Sequence, residues 1–130
     1  MVNELIAYCG PAAVPEDVWL RWNTDPVLIA ALAALAYGVA RRATHKNAGW
    51  AAIALMAVVF ISPLCALSSA LFSVRVLHHV ILVSAAAPLL ALAFPQRRAG
   101  VVPLALLVAA HAVALWVWHA PGPYAWGLAT

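Results

Sequence analysis

The side chains best suited to coordination chemistry in this sequence are its histidines and cysteines. Neutral imidazole is a common ligand for copper, zinc and iron, and a thiolate beside imidazoles favours Cu(I) over hard cations. No two of these residues have the spacing of a local zinc motif such as HExxH or CxxC, so a metal site would have to be assembled between separate segments. Apart from His45, the residues concerned are Cys9, Cys65, His78, His79, His111 and His119.

The composition of the chain is typical of a membrane protein. Of its 130 residues, 67% are hydrophobic and 8% are charged, the mean hydropathy is +0.98, and a soluble domain averages about 25% charged residues. The net charge of +3 would suit nucleic acid, but the basic residues lie in short loops and form no single face. We therefore expect a lipid bilayer as the partner of this chain, and no nucleic acid.

Four apolar segments predict four transmembrane helices, at about 26–42, 50–70, 73–94 and 101–118. A span needs roughly 20 residues, so the first helix must gain length by tilting or by snorkelling of its terminal arginines. Backbone polar groups in lipid need internal partners, which favours helices. The expected fold is an all-α polytopic membrane bundle over 26–119, between an outward-facing N-terminal segment (1–25) and an outward-facing C-terminal tail (120–130).

Local signals mark the ends and bends of these helices. Asp25 is a suitable N-cap and Pro26 suits the first helical position. Pro63 predicts a kink in the second helix. The two prolines and the glycines of "HAPGPYAWG" make further helix in the tail improbable.

The orientation follows from the basic residues in short loops. The loops "RRATHKN" and "PQRRAG" hold five of the seven Lys and Arg residues and lie on the same side of the predicted bundle. That side should face the cytoplasm. The protein is then expected in the bacterial inner (plasma) membrane with both termini in the periplasm.

This orientation places most of the candidate ligands in the outer half of the membrane. At about 1.5 Å per residue, His78 and His79 lie roughly 8–9 Å into the third helix, and His111 lies roughly 12 Å below His119. Cys65 falls in the outer half as well, whereas His45 belongs to the inner basic loop. The depth clustering favours a metal site drawn from His79, His111, His119 and Cys65.

Structural roles compete with ligation at each position. Adjacent residues point about 100° apart on a helix, so His78 is expected to join two helices by a hydrogen bond. The simplest role for Arg75 is to anchor the helix at the membrane–water interface, and the simplest role for Cys65 is that of a small packing residue. Two cysteines so far apart do not suggest a disulfide framework.

Two longer stretches resemble the CtaG-type family of cytochrome c oxidase assembly proteins, which includes proteins associated with caa3-type oxidases. They are "FISPLCALSSALFSVRVLHHVILVSAAAPLLALAFP" (60–95) and "HAVALWVWHAPGPYAW" (111–126), and "YCGPAAVPEDVWLRWNTDP" resembles the entry to the first helix. The resemblance implies that His79, His111 and His119 match histidines of the family. The chain differs from many members at two positions, where they have histidine in place of Arg75 and glutamine in place of His78. Members also usually continue for several more helices, so the resemblance implies that this chain is a short form.

The resemblance implies a membrane assembly factor for haem-copper cytochrome c oxidase that handles a copper ion at the outer face and turns over no substrate. Its partners would be oxidase subunits, and four helices alone leave room for a homo-oligomer. Three other interpretations stay open. They are a structural small subunit of a respiratory oxidase, a copper transport or resistance protein, and a b-type haem protein with His79 and His111 as axial ligands.

Overall fold

A computed structural model describes residues 8–95 and 103–129, and those residues contain helices and loops but no strand. The chain divides into two compact units. The first holds α1 (Pro26–Arg42), α2 (Lys46–Ile61), α3 (Leu64–Ala70) and α4 (Phe72–Ala93), and the second holds α5 (Leu104–His119) and α6 (Pro121–Ala129). The prediction of an all-helical protein is confirmed over the described residues.

Helix α1 begins as its sequence predicts. The Asp25 side chain accepts a hydrogen bond from the Val27 N–H at 2.9 Å, and Pro26 occupies the first turn. The carboxylate satisfies one of the backbone donors that a helix N-terminus leaves open, and proline needs no donor there. The helix ends at Arg42, where Ala43 turns to an extended conformation.

The second predicted helix is broken at the position of its proline. Helix α2 starts at Lys46, four residues earlier than expected, and α3 follows it at an angle of 52°. Proline disfavours the helical conformation of the residue before it, and Ser62 is extended with ψ 168°. The Leu64 N–H then donates to Ser62 Oγ at 3.3 Å, so the predicted kink is confirmed as a full break.

Helix α4 runs within one residue of its predicted bounds and contains a π-helical turn at Leu82–Ala86. The Ala87 N–H donates to the carbonyl of Leu82, five residues back. Pro88 has no N–H to give to Ser84 and its ring would crowd that carbonyl in a regular helix. The wider turn relieves this crowding without breaking the helix.

Three helices of the first unit meet at a close junction of small residues. Val39 of α1 and Ala93 of α4 are fully buried, and a Cβ added to Gly49 of α2 would lie 2.7 Å from Val39 Cγ1. The loop between α1 and α2 joins the same junction, since the Thr44 and His45 N–H groups donate to the Ala93 carbonyl at 2.8 and 3.1 Å. The loop thus satisfies a carbonyl that the end of α4 leaves without a helical partner.

The segment before α1 is fixed to α2 and α3 at the opposite end of α1. Cys9 forms a disulfide with Cys65, with 5.3 Å between the two Cα atoms, so the sequence argument against a disulfide is wrong. The Asn23 N–H donates to the Ile61 carbonyl at 2.9 Å. Within the segment, Arg21 pairs with Asp17 at 3.2 Å and donates to the carbonyl of Pro11.

In the second unit, the C-terminal tail contains a helix that the sequence interpretation excluded. Helix α6 begins at Pro121 and includes Pro123, so the prediction of a non-helical tail is wrong. Both prolines fall in the first turn, where the backbone N–H has no helical acceptor and a fixed φ is already suitable. The predicted start of the preceding helix, at 101, lies outside the described residues, and α5 ends at His119 as expected within one residue.

Length and hydropathy single out α4 as a membrane-spanning candidate among the described helices. It has 22 residues with a mean hydropathy of 2.0, and 17% of its most apolar window is buried. The bent pair α2 and α3 would form a second candidate if the two helices together make one span. Helix α5 is apolar but shorter than a full span.

Candidate functional site

Cys65 lies near the start of α3, where its side chain is buried and its sulfur is bonded to Cys9. Ser68, one turn later, donates to the Cys65 carbonyl at 2.6 Å, and its hydroxyl lies 3.9 Å from Cys9 Sγ. A metal binds the thiolate form of cysteine. Cys65 can therefore serve as a copper ligand only after the disulfide has been reduced.

Arg75, in the first turn of α4, forms a hydrogen bond to the backbone of α3. Its Nε donates to the Ser68 carbonyl at 3.1 Å, across the short turn between α3 and α4. This bond holds the last turn of α3 against the first turn of α4. The guanidinium therefore does more than anchor the helix in an interface, which is the role that sequence reasoning gave it.

The two adjacent histidines of α4 differ in surroundings, as their 100° separation predicts. His78 is buried, and its ring meets Phe60 of α2 edge-on with 5.1 Å between centroids. Its Nδ1 is buried and has no hydrogen-bond partner. His79 is exposed. His78 thus packs between helices, and His79 is the imidazole of α4 open to an external group.

His111 and His119 share helix α5 but cannot converge on one ion. They are eight residues apart on a continuous helix, which separates them by about 12 Å along the axis and by about 80° around it. Histidine–metal bonds are only about 2 Å long. A single ion can therefore take one of these two histidines as ligand, but not both.

His119 is the better prepared of the two for ligation. Its Nδ1 lies 2.7 Å from the Leu115 carbonyl, and a carbonyl only accepts, so Nδ1 carries the proton and Nε2 of the neutral ring keeps its lone pair. Metal-bound histidines commonly donate their other N–H in this way. The ring stacks on Tyr124 of α6 with 6.5 Å between centroids, and with Leu115 and Trp116 it lines an open groove of about 350 Å³.

Over residues 8–95 and 103–129, no three side chains of His, Cys, Asp or Glu lie together in an arrangement that could hold a metal ion. The four predicted ligands do not form such a group. His45, which was expected to be a loop residue, is exposed just before α2. Of the predicted histidine ligands, the structure thus offers one oriented imidazole, His119, and two exposed imidazoles, His79 and His111.

The disulfide is the feature of this region that sequence reasoning missed. Its cysteines are 56 residues apart, so no local spacing connects them. A signal was nevertheless present, because the predicted topology placed both cysteines on the outer side of the membrane. Two cysteines in one oxidising compartment are candidates for pairing.

Comparison of the chain with protein-family models, with curated proteins and with solved structures gave no match.

Proposed function

We propose that this protein is a multi-pass membrane assembly factor for haem-copper cytochrome c oxidase that handles copper at the outer face of the bacterial inner membrane. The observation that carries the membrane part is helix α4. A helix of this length and hydropathy in a soluble protein would be mostly buried in a core, whereas 17% of its apolar window is buried. Lipid is the environment that accepts such a surface.

The four-span arrangement extends this argument to the neighbouring helices. Exposed large apolar side chains occur on α1, α2 and α5 as well as on α4; examples are Val27, Val58, Val76 and Val113. The break at Pro63 leaves α2 and α3 too short to cross separately, so they would cross as one bent span. Backbone groups freed at such a break are tolerated in a membrane where side chains satisfy them, as Ser62 does for Leu64.

Two independent features support periplasmic placement of the N-terminal segment. The Cys9–Cys65 disulfide suits an oxidising compartment, since cytoplasmic thiols are kept reduced. The basic residues Arg41, Arg42 and Lys46 lie at the other end of α1, where the positive-inside rule places the cytoplasm. Oxidation chemistry and charge bias are unrelated arguments, and they agree on one orientation.

The copper and oxidase parts rest on the motif resemblance and on histidine chemistry. The sequence around His79, and the Trp-His-x-Pro stretch with His119 at its centre, resemble the CtaG-type family. The contact of His119 Nδ1 with the Leu115 carbonyl directs Nε2, the nitrogen that Cu(I) can bind, away from the helix backbone. Since His111 and His119 cannot share an ion, each is a separate candidate, and His79 is the third.

Copper binding is testable on the purified protein. Wild-type protein in detergent is titrated with Cu(I) against a chromophoric Cu(I) chelator, beside H79A, H111A, H119A and the triple variant. Loss of a true ligand should weaken binding by about tenfold or more. H45A is the matched control, because His45 is exposed but lies beside the basic residues Arg42 and Lys46. If the triple variant binds as much Cu(I) as wild type, the copper assignment is wrong.

Two observations favour a second candidate function, a structural small subunit of a respiratory oxidase. The described residues contain no group of three metal-ligating side chains, and His78 packs on Phe60 as a purely structural histidine would. This alternative predicts stable co-purification with oxidase subunits and no bound metal. The assembly factor instead predicts transient association and copper that is lost from the triple histidine variant.

A further inference from the structure

The end of the first unit at which α1 finishes and α2 begins presents three cations and two aromatic side chains; together they are called the basic end. Arg41, Arg42 and Lys46 are all exposed. Tyr37 and Trp50 are also exposed, by 65% and 46%, although both are large aromatic residues. Exposed tyrosine and tryptophan beside arginine and lysine are typical of the headgroup level of a membrane.

Within residues 8–95 and 103–129, the cations at the basic end have no acidic side chain beside them. All four acidic residues lie between positions 4 and 25 of the sequence, and Asp25 begins the helix that Arg42 ends. The 17 residues of α1 separate these two charges by about 25 Å. This exceeds the screening length of about 8 Å at physiological salt, so none of the described carboxylates balances the charge of the basic end, and an anion from outside the protein can do so.

The basic end is also held in a fixed shape. The backbone of Thr44 and His45 is hydrogen-bonded to the carbonyl of Ala93, beside the close junction at Gly49. Arg41 donates from Nε to the Tyr37 hydroxyl at 3.3 Å, with its guanidinium 5.6 Å from the centroid of that ring. Ligand binding to a shaped surface costs less ordering of side chains than binding to flexible ones.

We propose that the basic end is a binding surface for anionic phospholipid headgroups of the phosphatidylglycerol type, with Arg41, Arg42 and Lys46 contacting the phosphates. Arginine offers paired N–H donors that match phosphate oxygens, and lysine adds a point charge. The aromatic rings of Tyr37 and Trp50 lie at the depth where the glycerol backbone meets the acyl chains. This inference rests on the membrane placement in the proposed function, but not on copper or on the oxidase.

The test is lipid binding by the purified full-length chain in neutral detergent, with phosphatidylglycerol or phosphatidylcholine titrated in at low salt. Bound lipids are counted by native mass spectrometry, and the thermal shift is followed in parallel. Each cation near an anionic headgroup is worth about a fivefold change in affinity. The triple variant R41Q/R42Q/K46Q should therefore lose about 100-fold of the affinity for phosphatidylglycerol and keep that for phosphatidylcholine.

Two further variants keep the test decisive. R42Q alone leaves the Arg41–Tyr37 contact intact, and its affinity for phosphatidylglycerol should fall by about fivefold. R21Q is the matched control, because it removes one charge at the opposite end and should leave lipid binding unchanged. The inference is overturned if R42Q and the triple variant bind phosphatidylglycerol like wild type, if R21Q loses as much as R42Q, or if inorganic phosphate competes at equal concentration.

The outcome is separable from the proposed function. If the protein is recovered in the soluble fraction of a cell lysate, the proposed membrane location is wrong. A chain that extracts only with detergent and binds Cu(I), but does not distinguish the two lipids, would overturn the lipid inference alone.

Discussion

Removal of the Cys9–Cys65 disulfide should release the segment before α1 without unfolding the helices. The bond closes a loop with a sequence separation of 56 residues. Chain-entropy arguments give about 4 kcal/mol of stabilisation for a loop of that length. The helices inside the loop already restrict the open chain, so we expect between about 2 and 4 kcal/mol.

The remaining contacts of the segment are too weak to replace the bond. The half-buried Arg21–Asp17 pair contributes no more than about 1 kcal/mol. Both residues belong to the segment, so the pair does not attach the segment to the helices. The Asn23 to Ile61 hydrogen bond contributes about 1 kcal/mol. Loss of the disulfide should therefore shift the segment toward a detached state by about 30-fold to 1,000-fold.

Limited trypsin digestion measures this shift. The variant C9S/C65S is compared with oxidised wild type and with wild type after reduction, under conditions where helical circular dichroism is unchanged. Cleavage after Arg21 should accelerate by the factor given above, because the backbone two residues later is held against α2 by the Asn23 to Ile61 hydrogen bond and detachment of the segment exposes it to the protease. Cleavage after Arg42, at the other end of α1, is the internal control. An Arg21 cleavage rate within threefold of oxidised wild type would refute the reasoning.

Three other substitutions test the packing of the helices, each by thermal unfolding. G49A should destabilise by about 1–3 kcal/mol because its Cβ would lie 2.7 Å from Val39 Cγ1; G122A, with nothing within 4 Å of its added Cβ, should not destabilise. D25A removes the N-cap of α1 and should lower the free energy of unfolding by about 1 kcal/mol; an unchanged Tm would contradict the capping role of Asp25. H78L removes a buried nitrogen without a hydrogen-bond partner and should leave the free energy of unfolding unchanged or raise it by about 1 kcal/mol. H79L, at an exposed position, should change stability little. A large loss of stability in H78L would instead indicate a group bound at Nδ1.

The features that the sequence predicts well are those set by neighbouring residues. The start of α1 depends on Asp25 and Pro26, and the break between α2 and α3 depends on Pro63, so each is decided within a few positions. The same local reasoning failed for α6, because it treated Pro121 as a helix breaker when the first turn of a helix accepts proline. The π-turn of α4 was not predicted either. The sequence shows Pro88, but it does not show whether the helix breaks there or widens to accommodate the proline.

The features that it predicts poorly depend on which distant residues meet. The pairing of Cys9 with Cys65 and the contact of His78 with Phe60 need the packed helices, and neither follows from periodicity. The candidate ligands show the same limit. Depth along a helix ordered His79, His111 and His119, and the distance of about 12 Å that it gave between the last two already prevents them from sharing an ion. It said nothing about which side chains of different helices meet.

The disulfide and the basic end together constrain where any copper chemistry could take place. If the orientation were reversed, Cys9 and Cys65 would face the reducing cytoplasm and the bond would not persist, while Arg41, Arg42 and Lys46 would face the side that membrane proteins keep poor in cations. Both penalties vanish in the proposed orientation. Within the first unit, His79 lies two turns into α4 from the end at which the Arg75–Ser68 contact and the disulfide lie. In the proposed orientation, the open imidazole of α4 would therefore lie on the oxidising side, where the proposed function requires copper to be delivered.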